Sequence, residues 1–290
     1  MVPLAAVTLG IALLAITAAG AQEQPNVGDV LVRVSERIGD FYTRAKNVVC
    51  LERSTVQPID LSNSLAGFAR TVESELRVES AGPETPGEAV FVRKVLKVNG
   101  RAPRERDAKD RSGCTDPNPL TSEPLAFLLP AHRQEYHFTA AGVTTDRNRA
   151  ALLIDFVSRD RKSTPTLIRD PDGRDDCFDW SGHIASRGRI WVDAATYDVM
   201  RIDRGNPGPV DVKVPVLIQR RYHLDPWVVI VREDVTTRYD RVRFSDPDEV
   251  LLLPESINSL IVVRGGLQST RRFQTFSDYR RFVTGGRVIR

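Results

Sequence analysis

Apolar residues near the start of the chain recur at the spacing of an amphipathic helix. Charged residues such as Arg33 and Asp40 fall between them, on the opposite side of a 3.6-residue period. The pattern predicts a helix with one apolar face that packs on a sheet. The apolar positions are Val27, Leu31, Val34, Ile38, Phe41 and Ala45.

The segment from Val72 to Ser80 alternates with period two. Its even positions include Val72, Leu76 and Val78, whereas the odd positions hold only charged residues, Glu73, Glu75, Arg77 and Glu79. Such alternation is typical of an antiparallel strand with one buried face and one solvated face. A second strand is expected over 90–98, because the turn pair Asn99-Gly100 follows it.

The rest of the chain alternates in the same way and predicts a mainly β protein. A short second helix is expected over 123–129, stopped by Pro130, and the five residues 194–198 are short enough to force a hairpin. Several strands reach about nine or ten residues, which favours one broad, curved antiparallel sheet, open like a half-barrel. The further strands are predicted at 136–141, 150–157, 189–193, 199–203, 214–222, 228–237, 256–263 and 267–276.

Alternation also predicts which residues share the apolar side of this sheet. Charged neighbours cannot be buried without a large desolvation cost, so the residues between them must point inward. The predicted lining residues are Val72, Leu76, Val78, Ile154, Phe156 and Trp191. The pattern leaves two alternatives open: an apolar ligand fills the concave side, or the protein's own side chains fill it.

The first 21 residues carry no charge and end in Ala19-Gly20-Ala21. An apolar run closed by a small-x-small site predicts a signal peptide cleaved after Ala21, which would place a single domain, residues 22–290, in the periplasm or outside the cell. The alternative is that the uncharged run is retained as a membrane anchor.

The formal net charge of +3 is too small to indicate a nucleic-acid partner. Charge is uneven, because the last 27 residues contain several arginines and one acid. Arg271, Arg272, Arg280 and Arg281 are the predicted basic surface, which would meet a protein partner or an anionic membrane. The alternative is that arginine simply replaces lysine throughout the chain.

Motifs for catalysis are absent from the sequence, including those of serine hydrolases, zinc proteases, phosphate-binding loops and dinucleotide-binding folds. We therefore expect no catalytic residue, no metal and no cofactor. The nearest approach to a metal site is the group Asp170, Asp172, Asp175, Asp176, Asp179 and His183. Its spacing does not fit an EF-hand, and Pro171-Asp172-Gly173 is a turn sequence, which favours a solvated acidic loop.

The chain contains three cysteines. Outside the cytoplasm, one disulfide and one spare thiol are expected. Cys114 and Cys177 are the better pair because both lie in polar, turn-rich segments, within predicted insertions near 103–119 and 158–187. Cys50 lies in an apolar strand and is predicted to be a buried free thiol. The alternative is three reduced, unrelated cysteines.

The ribbon 188–193 followed by 199–203, taken with the leader and the first helix, resembles the LolA/LolB-like lipoprotein-carrier family. The endings 252–256 and 276–282 are similar to those of uncharacterised secreted bacterial proteins of this architecture. The resemblance implies a bent antiparallel half-barrel whose apolar concave face holds acyl chains and is plugged by helices. The function it implies is non-catalytic carriage or sensing of a lipid. The alternative is an interaction module with a filled core, which docks a protein partner through its arginine-rich end.

Overall fold

The computed structural model describes residues 26–44, 48–80, 89–104, 125–159, 163–169 and 178–281. The predicted leader, both cysteines of the predicted disulfide, and Asp170, Asp172, Asp175 and Asp176 lie outside these ranges.

Most of the described chain forms one large sheet, as the alternation predicts. Its central path runs β3-β2-β1-β13-β12-β11-β9-β8-β5-β4 with antiparallel pairs, and the path begins and ends on different strands, so the described sheet is open. The strands are β1 (Val48–Ile59), β2 (Arg70–Ser80), β3 (Ala89–Val98), β4 (Tyr136–Asp146), β5 (Arg149–Ser158), β6 (Thr166–Arg169), β7 (Phe178–Ser181), β8 (Arg187–Asp193), β9 (Val199–Gly205), β10 (Val210–Lys213), β11 (Trp227–Ser245), β12 (Asp248–Arg264) and β13 (Ser269–Arg281). The small group β10, β6 and β7 branches from β11 and contains one parallel pairing, β6 with β10.

The first helix, α1 (Val27–Arg44), forms where its apolar periodicity predicts. Val30, Leu31, Val34 and Ile38 are its buried apolar side chains, and they pack on the sheet. One amphipathic stripe therefore buries this helix, while its charged side faces solvent.

One predicted strand is wrong, and the predicted second helix has other bounds. The apolar run expected as a strand over 214–222 instead contains a helix, α3 (Val216–Tyr222), which ends at His223 in the left-handed region. Pro130 does not stop a helix but opens one, α2 (Pro130–Arg133), after a 3-10 turn at Ala126–Leu128. Proline is tolerated at the first position of a helix because its missing N–H would have no intrahelical partner there.

Strand register divides the sheet into two faces, since directly paired antiparallel residues point to the same side. One row contains Ile154, Ile190 and Ile202, and α1 packs over these residues. We call this side the helix face. The neighbouring row contains Leu153, Trp191 and Arg201 on the other side, which we call the open face.

Candidate functional site

The interface between α1 and the sheet is the largest cluster of buried apolar side chains in the described part of the chain. Buried side chains of α1 meet side chains from the 3-10 turn and from four strands. The buried members are Val30, Leu31, Val34, Ile38, Leu125, Leu128, Ile154, Phe156, Ile190, Val192, Val199, Ile202 and Tyr239. Their apolar surface is what an acyl chain would contact if α1 moved away.

Aromatic rings close one end of this space. Phe127 lies 4.8 Å from Phe156 and 5.3 Å from Tyr136, measured between ring centroids, and Phe138 stacks beside them. Such tilted and edge-on contacts are favourable geometries for aromatic pairs. This end of the interior is therefore well packed.

The solvent border of α1 is held by ion pairs. The carboxylate of Asp198 forms ion pairs with Arg37 and Arg241, each with a nitrogen–oxygen distance of 3.0 Å. The Asp198 side chain is only 7% exposed. Two helical turns after Arg37, Arg44 lies 2.8 Å from Glu249, which also lies 2.7 Å from Arg281. We call these two groups the border ion pairs.

A small cavity lies between these ion pairs, along the seam where α1 meets β12 and the β8–β9 turn. Its volume is about 30 Å³, which suits one or two waters, and its apolar lining includes Ile38, Phe41, Val199 and Leu252. At this seam, the described side chains therefore leave little free space under α1. A larger apolar ligand would enter here only if α1 moved.

Four of the predicted lining residues share the helix face. A paired row runs from Val72 through Ser54, Gln274, Ile257, Thr237, Ile202 and Ile190 to Ile154. Leu76 follows Val72 on the same side of β2 and packs with Cys50, Ile257 and Phe276, whereas Phe156 lies under α1. The side chain of Val78 lies outside the described part of the chain.

Trp191 does not join them, which corrects the expected placement. It pairs with Leu153 and Arg201 on the open face, because it is one residue out of step with Ile190 and Val192. A one-residue difference along a strand reverses the face. The Arg201 guanidinium lies 4.4 Å from the centre of the indole.

A buried ion pair interrupts the apolar row on the other half of the helix face. The Glu52 side chain is 1% exposed, and Arg93 donates to both of its oxygens, at 2.5 and 2.9 Å. Gln274 donates to the same carboxylate at 3.1 Å. The hydroxyl of Ser54 is buried beside them without a hydrogen-bond partner. Sequence reasoning missed this group, although Glu52 falls in step with apolar Cys50 and Val56.

Cys50 is a free, buried cysteine, as predicted. Burial, with the Glu52 carboxylate nearby, raises the pKa of its thiol to about 12. A thiol that stays protonated at neutral pH is a poor nucleophile. This cysteine behaves as a small apolar residue in the cluster with Leu76 and Phe276.

Thiol titration tests the whole cysteine assignment. In the native protein, we expect Ellman's reagent to detect no thiol, because Cys50 is buried and protonated. In urea without reductant it should detect one thiol per chain, and after reduction three. Three thiols in urea alone would contradict the Cys114–Cys177 disulfide and favour three reduced cysteines.

The four arginines of the predicted basic surface do not form one patch. Arg271 and Arg280 lie near opposite ends of β13, about 30 Å apart at the rise of a strand. Arg281 pairs with Glu249, and Arg280 lies 3.8 Å from Glu75. Arg271 is exposed, and Arg272 is partly buried near it. The expected surface is therefore reduced to the end of the sheet that holds Arg271 and Arg272.

That same end presents large apolar side chains to solvent. In the loop between β1 and β2, Leu61, Leu65 and Phe68 are 59%, 74% and 99% exposed. The loop is nevertheless well held, since the Asp60 carboxylate accepts hydrogen bonds from the backbone N–H groups of Ser62 and Ser64 at 2.8 and 2.9 Å. Clustered exposed apolar residues of this kind mark interaction surfaces.

Within the described ranges, no group of three or more potential metal ligands comes together. Asp179 and His183 are the described members of the acidic segment, and the other members lie outside. No helix among the described residues has the length and apolar character needed to cross a membrane.

No protein-family model matches the chain, and no curated protein matches it. Solved structures similar to it include a domain from Vibrio parahaemolyticus described as an outer membrane lipoprotein-sorting protein. It is 9% identical, with a TM-score of 0.42, and the match covers 90% of this chain and 96% of that chain.

Two further solved structures are similar over comparable lengths. A LolA superfamily protein from Nitrosomonas europaea is 8% identical with a TM-score of 0.34, covering 89% of this chain and 96% of that one. A DUF1329 family protein from Desulfovibrio piger is 12% identical with a TM-score of 0.39, covering 89% and 92%.

Proposed function

We propose that this protein is a non-catalytic binding protein of the periplasm or cell exterior, which holds a lipid or other apolar ligand between α1 and the helix face. The observation that carries the proposal is the continuous apolar surface under α1, closed by a single amphipathic helix and edged by ion pairs. The leader sequence supports the compartment. The chain would act as a carrier or sensor, with no covalent step.

The free energies of exposing α1 and of burying the ligand favour a long acyl chain. Lifting α1 exposes Val30, Leu31, Val34 and Ile38, at a cost of about 6–12 kcal/mol if each side chain contributes about 1.5–3 kcal/mol. Palmitate would bury about 15 methylene and methyl groups at about 0.8 kcal/mol each, roughly 12 kcal/mol. Octanoate would recover only about half of that. The site should therefore bind palmitate and reject octanoate.

The border ion pairs set how easily α1 moves. Replacing Asp198 by Asn removes the charge that both Arg37 and Arg241 contact. Because both arginines are more than 40% exposed, solvent screening limits the loss to about 1 kcal/mol. We expect D198N to take up a fluorescent palmitate analogue about fivefold faster than the wild type in stopped-flow measurements.

Asp248→Asn is the matched control, because its ion pair with Arg243 is exposed on both sides. Its uptake rate should equal that of the wild type. Unchanged uptake in D198N would show that α1 does not gate the site. Wild-type protein that binds no apolar probe would reject the proposed function.

A second candidate function, docking of a protein partner, is favoured by the exposed loop residues Leu65 and Phe68 near Arg271. A photoreactive amino acid at position 68 should give a discrete crosslinked product in cells. The same group at Val143, which is 60% exposed on β4, is the control. Equal crosslinking at both positions would reject this docking surface.

A further inference from the structure

A second concave site lies on the open face, on the opposite side of the sheet from α1. It is a groove of about 710 Å³ that crosses five strands, β4, β5, β8, β9 and β11. Side chains of Thr139, Asp155, Arg189, Asp203 and Thr236 form one row across its floor, each paired with the next in the strand register. We call it the open-face groove.

Gly205 creates the depth of this groove. A second row of paired residues lies next to the floor row, and in it Gly205 lies between Arg187 and Asp234. Because glycine has no side chain, this row has a gap at its middle position. A Cβ atom there would lie 2.6 Å from the carbonyl oxygen of Glu233. The close approach of the two strands therefore requires glycine, and the hollow is built into the backbone.

Two aspartates on the floor of the groove are held by hydrogen-bonded partners. Arg189 donates to both oxygens of Asp155, at 2.5 and 2.9 Å, and this hydrogen bonding holds the pKa of Asp155 below its ordinary value. Asp203 accepts from Arg201 at 2.8 Å and from the Thr236 hydroxyl at 2.9 Å. The lining as a whole contains three aspartates and three arginines, so the groove has no strong preference for a charged ligand.

The same pairs leave hydrogen-bonding capacity on the solvent side. A carboxylate offers about four acceptor positions, and guanidinium offers five donors, so a bidentate pair uses only part of either. The Asp155 and Arg189 side chains are 41% and 42% exposed. Donor and acceptor thus stand side by side at the surface, an arrangement that matches neighbouring hydroxyl groups on one ligand.

Trp191 supplies the apolar part of the groove. The Arg201 guanidinium lies over one side of its indole, and the partly exposed residue lines the groove. An aromatic ring beside hydrogen-bonding groups suits a ligand with an apolar C–H surface and polar edges. Sugar rings have this combination.

From this geometry we propose that the open-face groove binds a neutral oligosaccharide, with Trp191 against a sugar ring and the Asp155–Arg189 and Asp203–Thr236 groups on its hydroxyls. The site is separate from the apolar space under α1 and does not depend on the function proposed above. A protein with both sites would hold a lipid on one face of its sheet and a glycan on the other.

The test is isothermal titration of the full mature chain with a panel of neutral oligosaccharides, namely gluco-, manno-, galacto- and N-acetylglucosamine tetramers, together with an anionic uronic-acid tetramer. We expect at least one neutral member to bind. Trp191→Leu and Asp155→Asn should each weaken that binding about tenfold or more. Asp155 is exposed enough for D155N to fold even if the tryptophan variant does not.

Trp227→Leu is the matched control, since Trp227 is exposed elsewhere and does not line the groove. It should bind as the wild type does. Palmitate binding should be unchanged in D155N, which separates this site from the one under α1. The proposal is overturned if no neutral oligosaccharide binds, if the uronic-acid tetramer binds best, or if D155N binds as well as the wild type.

Discussion

Replacing Arg93 by Met is expected to lower the free energy of unfolding by about 3–5 kcal/mol, because it leaves the Glu52 carboxylate buried without a cation. The Glu52 side chain is 1% exposed, and Gln274 alone remains to donate to it. Urea denaturation followed by circular dichroism measures the loss.

The double variant Glu52→Gln with Arg93→Met separates charge burial from lost packing. It should recover most of the stability, because replacing both partners removes the uncompensated charge. Lys94→Met is the surface control and should stay within about 0.5 kcal/mol of the wild type. An R93M protein as stable as the wild type would mean that Glu52 is not held as a buried ion.

Gly188→Ala is expected to cost about 3 kcal/mol or more. An added Cβ would lie 1.9 Å from the carbonyl oxygen of Asp203 and 2.7 Å from the Cζ atom of Phe156. The first contact is with backbone, so β8 and β9 must separate before the methyl group fits. The loss of stability is read from the midpoint of thermal or urea unfolding.

Gly208→Ala is the matched control for this substitution. Nothing lies within 4 Å of the position where its Cβ would be, so its effect should be within about 0.5 kcal/mol. If both variants unfold at the wild-type midpoint, the close pairing of β8 with β9 is wrong.

The spacing of apolar residues along the chain predicted the first helix and the buried side of β2. The 3.6-residue spacing located α1, and alternation placed Val72 and Leu76 on the buried side of β2. The same spacing failed at 214–222, because a short apolar run is compatible with a strand and with a helix. The structure has the helix α3 there.

The candidate sites depended on register between distant strands, which one sequence does not show. Ile154 and Trp191 both lie in apolar stretches, and only the pairing of Leu153 with Trp191 places them on opposite faces. Glu52 left a signal, because it is a charge on the buried side of β1. Its partner Arg93 is 41 residues away on β3, two strands across the sheet. Spacing within a strand could not identify that partner.

Photolabelling shows whether an acyl chain lies between α1 and the helix face. The mature protein is irradiated with a diazirine-bearing palmitate, and the labelled residues are located by mass spectrometry, with unlabelled palmitate as competitor. We expect competed labels on α1 and the strands beneath it, at positions such as Val34, Ile38 and Leu252. Labels confined to the loop at Leu65 and Phe68, or no competed label at all, would contradict this placement of the acyl chain.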